Sequence, residues 1–477
     1  MSRPYFIGSI LALGLFASGS ATHAQEVVSP SVSQTVQPTV SVQPVLSQYI
    51  SADGLTVEKL AGAALAGNKE LQAARQNLII AQGRLTQAGL RPNPTLDFER
   101  TTDALTGRQG EGNYAVGVSQ LFETGGKRKK RLTVAQLELD RAQAEVRALE
   151  RQIAAEVRNA YAQAVSAARQ LATTQQILTL DLDMIRITEA RLQQGDVAPL
   201  DLNLVRVEAD RLRVQAMQAQ YEIQAQFITL RTLIGSEPSA ALKLAIVSER
   251  PPLLAISLEA ATATALHERA DLQAARIAEE LGGARLQLAE SQRSPNVAGS
   301  VRYSVSRSVF DNVPGIGKLQ DKDHLLTAGV SIELPFRNRN QGEIAAAVGE
   351  EQQAKYRREF IEAVIKRDVA LAYNRYNTAA ATLAIFGNQI IPRAEQNLKT
   401  IRAAYNLGEM PILEVIAEQR RQVENQTQYN TALKDYYVAL AELEKALGVP
   451  LPANAFSSTS VIALTENGEL KPTAPKQ

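Results

Sequence analysis

Apolar residues recur every seven positions through residues 127–192, a stretch that contains neither proline nor glycine. Two such series run side by side, three or four positions apart: Leu132, Leu139, Val146, Ile153 and Ala160, and Val157, Ala164, Leu171, Leu178, Ile185 and Leu192. This a/d spacing is typical of a helix that packs against other long helices. As one helix the stretch would extend about 100 Å at 1.5 Å per residue, which is longer than a compact globular domain.

A second long helix is predicted over residues 343–407, where two glycines and Pro392 are the only interruptions and Pro392 is the expected kink. Each long helix ends in a glycine turn, at Gly195 or Gly408. Return helices that begin at or near a proline are predicted over residues 199–234 and 411–447. Each half of the chain is therefore a long helical hairpin.

Before each long helix the apolar period changes from seven to two. Apolar residues alternate with small or polar ones at Leu96 and Phe98; at Tyr114, Val116 and Val118; at Val301, Tyr303, Val305 and Val309; and at Leu326, Ala328, Val330, Ile332 and Leu334. Such alternation predicts β-strands with one apolar and one polar face. The pattern gives one strand hairpin in each half of the chain.

The second half of the chain repeats the first. The run Gly117-Val118-Ser119 returns as Gly329-Val330-Ser331, an offset of roughly 210 residues, which is far longer than a solenoid repeat. We therefore predict two structural repeats, each with a helix, a strand hairpin and a long helical hairpin, over residues 55–240 and 241–450.

The two ends of the chain have a different character. Arg3, an apolar run over residues 7–17 and small residues up to Ala24 predict a secretory signal peptide over residues 1–24. Prolines favour an extended arm over residues 25–54. A flexible, polar tail is expected over residues 451–477.

Four strands per chain predict an assembly of several copies. Membrane barrels close with about eight strands or more, and an open strand edge is not tolerated in lipid. A face of Val, Ile, Leu and Tyr opposite a face of Ser, Arg and Glu is typical of an outer-membrane barrel, apolar toward lipid and polar toward the lumen. Three copies would supply about twelve strands, with the helical hairpins closing into a tube beneath them.

Composition excludes most site chemistry. The chain has a net charge of +1, no cysteine and three histidines, so disulfides, lipid anchors on cysteine and Cys/His metal sites are excluded. His267 and His324 stand alone, and the basic run over residues 127–131 lacks the Walker spacing. We predict no enzyme activity, no cofactor, no metal site and no nucleic-acid partner.

Several short motifs recur in a fixed order in this chain. They are Arg91-Pro92-Asn93-Pro94, the junction Gly125-Gly126-Lys127-Arg128, and the tip Gly195 with Leu200 and Asp201. Over about residues 55–450 the chain resembles the TolC-like outer membrane efflux proteins, and the junction from Phe122 is similar to the branch for cobalt-zinc-cadmium cation efflux. The resemblance implies a mixed α/β membrane protein. In it, a trimeric, roughly 12-strand outer-membrane β-barrel continues into a roughly 12-helix periplasmic α-barrel.

The same resemblance implies partners and an entrance. The homotrimer would work with a periplasmic adaptor protein and an inner-membrane RND-type transporter. Asp201 and Tyr405 match residues that hold the periplasmic entrance closed through hydrogen bonds, and Glu414 matches an acidic ring that narrows it. For Asp201, a charge interaction at the helix N-terminus explains the residue equally well.

The resemblance also implies that the tip turns form the surface on which the adaptor docks. The residues concerned are Gly195, Leu200, Gly408 and Leu413. Each glycine is at the same time an ordinary helix C-cap.

A basic cluster marks the strand-to-helix junction. Its members are Lys127, Arg128, Lys129, Lys130 and Arg131, with Arg337 and Arg339 at the matching place in the second half. At the inner rim of a barrel these charges would face phospholipid headgroups. The alternative is a solvated helix start.

The sequence therefore predicts an outer-membrane exit duct of a tripartite efflux system, for divalent metal cations or other small toxic compounds. A type I secretion duct for polypeptides shares this architecture and stays open as an alternative. A trimeric coiled-coil surface scaffold or adhesin is the alternative of another class, and the strand hairpins in each half argue against it.

Overall fold

The predicted long helices and strand hairpins are present in the computed structural model of the chain. It describes residues 46–102, 111–245, 253–254, 256–313, 315, 317–451, 456–457, 462–464 and 470–472. The helices are α1 (Leu46–Tyr49), α2 (Val57–Gly67), α3 (Lys69–Gly89), α4 (Lys127–Gln194), α5 (Pro199–Leu233), α6 (Leu258–Glu268), α7 (Ala270–Ser291), α8 (Gln341–Ile385), a π-helical turn (Phe386–Ile390), α9 (Ile391–Asn406) and α10 (Ile412–Leu447). The strands are β1 (Ile50–Leu55), β2 (Thr95–Thr102), β3 (Gly112–Phe122), β4 (Leu253–Leu254), β5 (Val297–Val313), β6 (Gly317–Ile332), β7 (Phe456–Ser457), β8 (Ile462–Leu464) and β9 (Leu470–Pro472).

The predicted signal peptide lies outside the described residues. The described end of the predicted arm forms the short helix α1 and strand β1. Of the predicted tail, Leu451 and the short strands β7, β8 and β9 are described.

Strands β2, β3, β5 and β6 form one antiparallel sheet in that order. The two predicted hairpins are confirmed, and β3 pairs with β5 to join them. Val116 lies opposite both Phe98 and Tyr303, so the three side chains share one face. They are 45%, 71% and 47% exposed, respectively. One chain therefore leaves the apolar face uncovered, and β2 and β6 have no further strand beside them in the part of the chain that the structure describes.

Helix α4 runs unbroken through 68 residues, as the heptads predict, and the chain then reverses into α5. It begins after Gly126 and ends before Gly195, and both glycines are left-handed, with φ of 69° and 82°. The heptad positions Val157, Ala164 and Leu171 are fully buried in a core shared with α2 and α5. Burial of the small and branched side chains along this seam provides the stability that a solitary helix of this length lacks.

The second long helix changes register before Pro392. The chain passes from α8 through a π-helical turn into α9, and the amide N–H of Ile391 bonds to the carbonyl of Phe386, five residues back. Pro392 has no N–H to donate to the carbonyl four residues earlier, and a wider turn is one way in which a helix accommodates this. A π-helical turn thus occupies the position where the sequence predicts a kink.

Helix α4 packs against different helices along its length. Near its start, Glu138 accepts a bond from Arg285 of α7 at 2.9 Å. Near its end, Asp181 accepts a bond from Gln419 of α10 at 2.9 Å. The first part of α4 therefore lies beside the helices next to the sheet, and its last part lies beside the return helix of the second hairpin.

Shorter helices meet the return helices end to end. At the start of α3, Asn68 caps Leu71 through its side-chain oxygen and donates to the carbonyl of Leu233, at the end of α5, at 3.0 Å. In the second half Gly448 follows α10 and lies against Arg269, which precedes α7. A Cβ on Gly448 would lie 3.0 Å from the Cα of Arg269, and the φ of 78° at this position favours glycine as well. Each half thus places a second, short helix between its return helix and the sheet.

Candidate functional site

The sheet separates charge between its two faces. Asp97 and Glu99 lie on the face opposite the apolar one, and so do Asp321 and Asp323, because Asp323 pairs with Ser306 and Asp321 with Ser308. Arg302 is on this polar face and forms a 2.6 Å ion pair with Glu99. Four carboxylates and one arginine therefore make the polar face of the described sheet acidic.

The basic cluster divides into buried and exposed members at the junction. Lys127 is only 4% exposed, and its Nζ donates to the carbonyl of Ser294 at 2.8 Å and to Oδ1 of Asn296 at 2.7 Å. This bond set ties the first residue of α4 to the segment between α7 and β5. Lys127 is thus a structural anchor between the two halves.

Two arginines of the cluster are also engaged within the chain. Arg128 donates to the carbonyl of Gly89 at 2.6 Å. Arg131 forms a bidentate pair with Glu123, at 2.6 and 3.1 Å, and this bond from Arg131 is the main reason that the pKa of Glu123 lies below its usual range. These contacts attach α4 to α3 and to the end of β3.

The other members of the cluster project outward. Lys129, Arg337 and Arg339 are exposed and Lys130 is half-buried. Their side chains make no hydrogen bond or ion pair with any residue that the structure describes. These four residues, and Arg128, which is exposed and engages only its Nε, are the members of the cluster available to a lipid headgroup.

The two hairpin tips have the same backbone geometry. Gly195 and Gly408 have φ of 82° and 79°, which favours glycine. The N–H of the residue after each glycine bonds to a carbonyl five residues back, at 2.9 Å for Asp196 and 3.0 Å for Glu409, as in a Schellman motif. Leu200 and Leu413 follow in the first turns of the return helices and are 65% and 59% exposed. Each tip thus presents an uncovered leucine.

Asp201 and Tyr405 do not bond to each other within the chain. The Asp201 carboxylate accepts from the N–H of Ala198 at 3.1 Å and so caps its own helix. Tyr405 is buried among residues of both hairpins, including Val205 and Val415, and the guanidinium of Arg191 lies 5.0 Å from its ring centre. Its hydroxyl has no hydrogen-bond partner among the described residues.

The side chain of Glu414 makes no hydrogen bond or ion pair with the described residues. It is exposed in the first turn of α10, where its charge favours the helix N-terminus. The structure therefore places all three predicted entrance residues close to the hairpin tips.

A buried polar layer above the tips is absent from the sequence predictions. Asp181 is 1% exposed, and its second oxygen has no partner in the described part of the chain. Burial raises the pKa of Asp181 to about 6, and the nearby charge of Glu208 also raises this pKa. The hydrogen bond from Gln419 and the charge of Arg402 lower it in part. Glu208 is itself buried and pairs with Arg420 at 2.6 Å.

A signal for this layer exists in the heptads. The first apolar series continues, at the same spacing, as Ala167, Thr174, Asp181 and Thr188, and all four are buried. The helical seam thus changes from apolar to polar along its last four heptads. Extending the series beyond Ala160 would have found Asp181.

The described residues contain neither a metal-binding group nor a membrane-spanning helix. No group of three or more His, Cys, Asp or Glu side chains in them is arranged to hold a metal ion. No helix among them is both long and apolar enough to cross a membrane.

The chain is similar to known outer-membrane proteins over most of its length. The sequence pattern of the family described as outer membrane efflux protein matches residues 60–236 and 262–449. The cobalt-zinc-cadmium resistance protein CzcC of Cupriavidus metallidurans is 24% identical over 412 residues, which cover 83% of this chain and 91% of CzcC. The outer membrane protein TolC of Vibrio cholerae is 24% identical over 274 residues, or 55% of this chain and 59% of TolC.

Solved structures agree on the fold. A crystal structure of CusC, solved in a study of its folding and transmembrane channel formation, has a TM-score of 0.69 and 19% identity, and the match covers 88% of this chain and 99% of CusC. At this identity the likeness shows the fold alone.

Proposed function

The chain belongs to the outer membrane efflux protein family, and on that premise we propose that it is the outer-membrane duct of a tripartite efflux pump. In this proposal a homotrimer receives its cargo from an inner-membrane RND-type transporter through a periplasmic adaptor. The cargo is a divalent metal cation or another small toxic compound. The sheet forms the part in the outer membrane, and the helical hairpins form a tunnel in the periplasm.

The open, one-sided sheet is the observation that carries this proposal. Its apolar face is uncovered, with Leu96, Phe98 and Leu326 each more than 70% exposed. Its edge strands β2 and β6 would leave unpaired backbone groups in lipid, where each one costs several kcal/mol. Pairing of β6 of one copy with β2 of the next satisfies both edges, and three copies give about twelve strands.

A second uncovered surface points to the same assembly. Apolar side chains on α5, each at least 48% exposed, recur at intervals of seven residues above the tip: Val207, Val214, Tyr221 and Ile228. A heptad seam of this kind packs against another helix. In the second half of the chain, α8 also exposes large apolar side chains, among them Tyr356 and Leu371. We assign the α5 seam to a neighbouring copy of the chain.

The charge of the polar face favours cations as cargo. In a closed trimer this face lines the lumen and repeats its four carboxylates, Asp97, Glu99, Asp321 and Asp323, in every copy. A narrow lumen lined by charge of one sign concentrates ions of the opposite sign. A duct needs no tight metal site, since a cation that binds tightly would not leave. The likeness to CzcC supports the same cargo class.

The tips form the periplasmic entrance in this proposal. Tyr405 and Asp201, on adjacent hairpins, would close it through a hydrogen bond that forms when the Tyr405 hydroxyl, buried here without a partner among the described residues, turns toward the Asp201 carboxylate. Glu414 adds negative charge at the opening. Leu200 and Leu413, with the glycine turns beside them, are the surface for the adaptor.

Engineered cysteines test the barrel. The chain has no cysteine, so a disulfide reports only on the introduced pair. Asp97→Cys on β2 is combined in turn with Leu325→Cys, Thr327→Cys or Gly329→Cys on β6, all on the polar face. We expect one of these registers to give covalently linked dimers and trimers on a denaturing gel. Within one chain β2 and β6 lie at opposite edges, and single variants serve as controls. Unlinked chains at every register would contradict the proposed closure.

A deletion strain tests the cargo. We expect it to lose tolerance to zinc, cadmium or cobalt, and we expect the gene supplied in trans to restore that tolerance. Unchanged metal tolerance together with lost drug tolerance would assign the duct to other small compounds.

A further inference from the structure

We propose that the lipid-facing side of the sheet ends in a binding site for the phosphate groups of anionic outer-leaflet lipid, formed by Arg100, Arg307 and Lys322. This inference rests on the proposed function, because it takes the apolar face as the outside of a barrel. The site lies at the end of the sheet remote from the helices. It is distinct from the basic cluster at the strand-to-helix junction.

Strand register places the three basic residues on the apolar face. Arg100 lies opposite Tyr114, and Arg307 lies opposite both Gly112 and Lys322. Gly112 and Tyr114 are two positions apart on β3, so the two rows share a face and are adjacent. The three cations therefore form a cluster across β2, β5 and β6.

Side-chain contacts agree with this assignment. The guanidinium of Arg100 lies 5.3 Å from the ring centre of Tyr114, and Arg307 bonds to the side-chain oxygen of Gln320. Arg100 and Arg307 thus have neutral partners. Lys322 is exposed, and its ammonium has no partner in the described residues. Among the described residues, no carboxylate forms an ion pair with these three positive charges.

Negative charge on the paired residues of the sheet is confined to the polar face, where Arg302 is the one basic residue. The run Asp321, Lys322, Asp323 and His324 alternates between faces, so both carboxylates go to the polar face and both basic side chains to the apolar one. Among the paired residues of β2, β3, β5 and β6, every aspartate and glutamate lies on the polar face. A requirement for solubility alone does not explain why the acidic residues occupy one face only. An anionic partner on the apolar face, outside the barrel, together with a cationic partner on the polar face, inside it, does explain this distribution.

The depth of the cluster matches a headgroup layer. The apolar face begins at the row of Val297, which pairs with Phe122 and Ile332 next to the helices. From Val297 to Arg307 the strand rises about 33 Å, at about 3.3 Å per residue. With the usual strand tilt of about 40° this corresponds to a height of about 25 Å, which is the thickness of the apolar band of outer-membrane barrels. The basic cluster therefore lies where hydrocarbon gives way to headgroups.

Phosphate is the group that suits this cluster. Guanidinium forks and an ammonium donate charge-assisted bonds to phosphate oxygens, which are stronger than bonds between neutral groups. Cations at the border of hydrocarbon are poorly hydrated, and a bound anion offsets this cost. A lipid supplies that anion together with acyl chains that cover Leu326 and its neighbours on the apolar face. We therefore assign a phosphorylated lipid, and free phosphate becomes an outcome of the test.

The experiment measures lipid binding to the purified full-length protein by native mass spectrometry in detergent. The probes are a lipid A that carries two phosphates and the same lipid after dephosphorylation. The variant is Arg100→Gln with Arg307→Gln and Lys322→Gln. The matched control is Arg302→Gln, which removes an arginine from the polar face of the same sheet. We expect the triple variant to bind the phosphorylated lipid at least about tenfold more weakly, since charge-assisted bonds are lost. The control should bind it like the wild type.

Other outcomes separate the alternatives. Equal binding of both lipids by the wild type, or wild-type binding by the triple variant, would overturn the inference. Displacement of the lipid by millimolar inorganic phosphate would identify a free-anion site instead of a lipid site. The single variant Lys322→Gln, with a smaller loss of the same kind expected, keeps the test available should the triple variant not assemble. A wild type that is not trimeric refutes the proposed function itself, whereas a trimer without phosphate-dependent binding refutes only this inference.

Discussion

Replacing Asp181 by asparagine tests the buried polar layer between the two helical hairpins. The Asp181 carboxyl is fully buried in α4 and accepts one bond, from Gln419 of α10. Burial raises its pKa from the ordinary 3.8 to about 6. Asparagine keeps an oxygen for the bond from Gln419 and cannot ionise.

The sign of the pH effect follows from the direction of the shift. Between pH 4 and pH 6 the folded chain holds a proton at Asp181 that the unfolded chain has released. The contribution of Asp181 to the free energy of unfolding therefore falls as the pH rises through this range, and the loss is complete above about pH 6. A rise from 3.8 to about 6, at about 1.4 kcal/mol per pKa unit, corresponds to about 3 kcal/mol per chain.

Thermal unfolding of the detergent-solubilised protein, followed by helical circular dichroism between pH 4 and pH 7.5, measures the effect. We expect Asp181→Asn to melt several degrees higher than the wild type at pH 7.5 and at the same temperature at pH 4. Asp183→Asn is the matched control, because Asp183 lies on the same helix with its side chain 48% exposed and pairs with Arg186. We expect this control to follow the wild type at every pH, since exposed ion pairs contribute little.

A less stable Asp181→Asn variant at pH 7.5 would refute the reasoning. It would mean that ionised Asp181 forms a net favourable pair with Arg402, which is half-buried and whose pKa is lowered by burial. The attraction between the two groups would then exceed the cost of burying the charge.

Three further predictions concern the gate, the junction and the tips. Tyr405→Phe combined with Asp201→Ala should open the resting pore without loss of assembly, because it removes a bond on the order of 1 kcal/mol from each copy; an assembled double variant with wild-type single-channel conductance would speak against this gate. Lys127→Met should lower the free energy of unfolding by about 2 kcal/mol, because it leaves the oxygens of Ser294 and Asn296 without a donor. The matched control Lys129→Met, at an exposed lysine of the same helix turn, should leave the melting temperature unchanged. Leu200→Asp with Leu413→Asp should abolish efflux and adaptor binding in a pull-down while the channel still conducts in bilayers; retained adaptor binding would place the docking surface elsewhere.

The helices and strands follow closely from local patterns. Heptads without proline or glycine predict α4 to within two residues of its end at Gln194, because the glycine turn after it is a strong stop. Alternation predicts both strand hairpins, although β5 and β6 extend beyond the predicted alternation. Pairing of β3 with β5 depends on a contact between the two halves of the chain, and no local pattern encodes it.

The candidate sites depend more on distant contacts. Lys127 belongs to a run of five basic residues, which is typical of a solvated helix start, and its burial comes from oxygens of Ser294 and Asn296 in the other half. Asp181 meets Gln419, a residue 238 positions away. The tip turns are different, because glycine with a left-handed φ closes each of them locally. They are therefore the part of the candidate site that sequence alone locates best.

The mass of the detergent-solubilised protein tests the central claim most directly. Four strands with an uncovered apolar face and two open edges cannot form a closed barrel in one copy. Native mass spectrometry should therefore give the mass of three chains, and the assembly should persist at low protein concentration. A monodisperse, folded single chain in detergent would contradict the account.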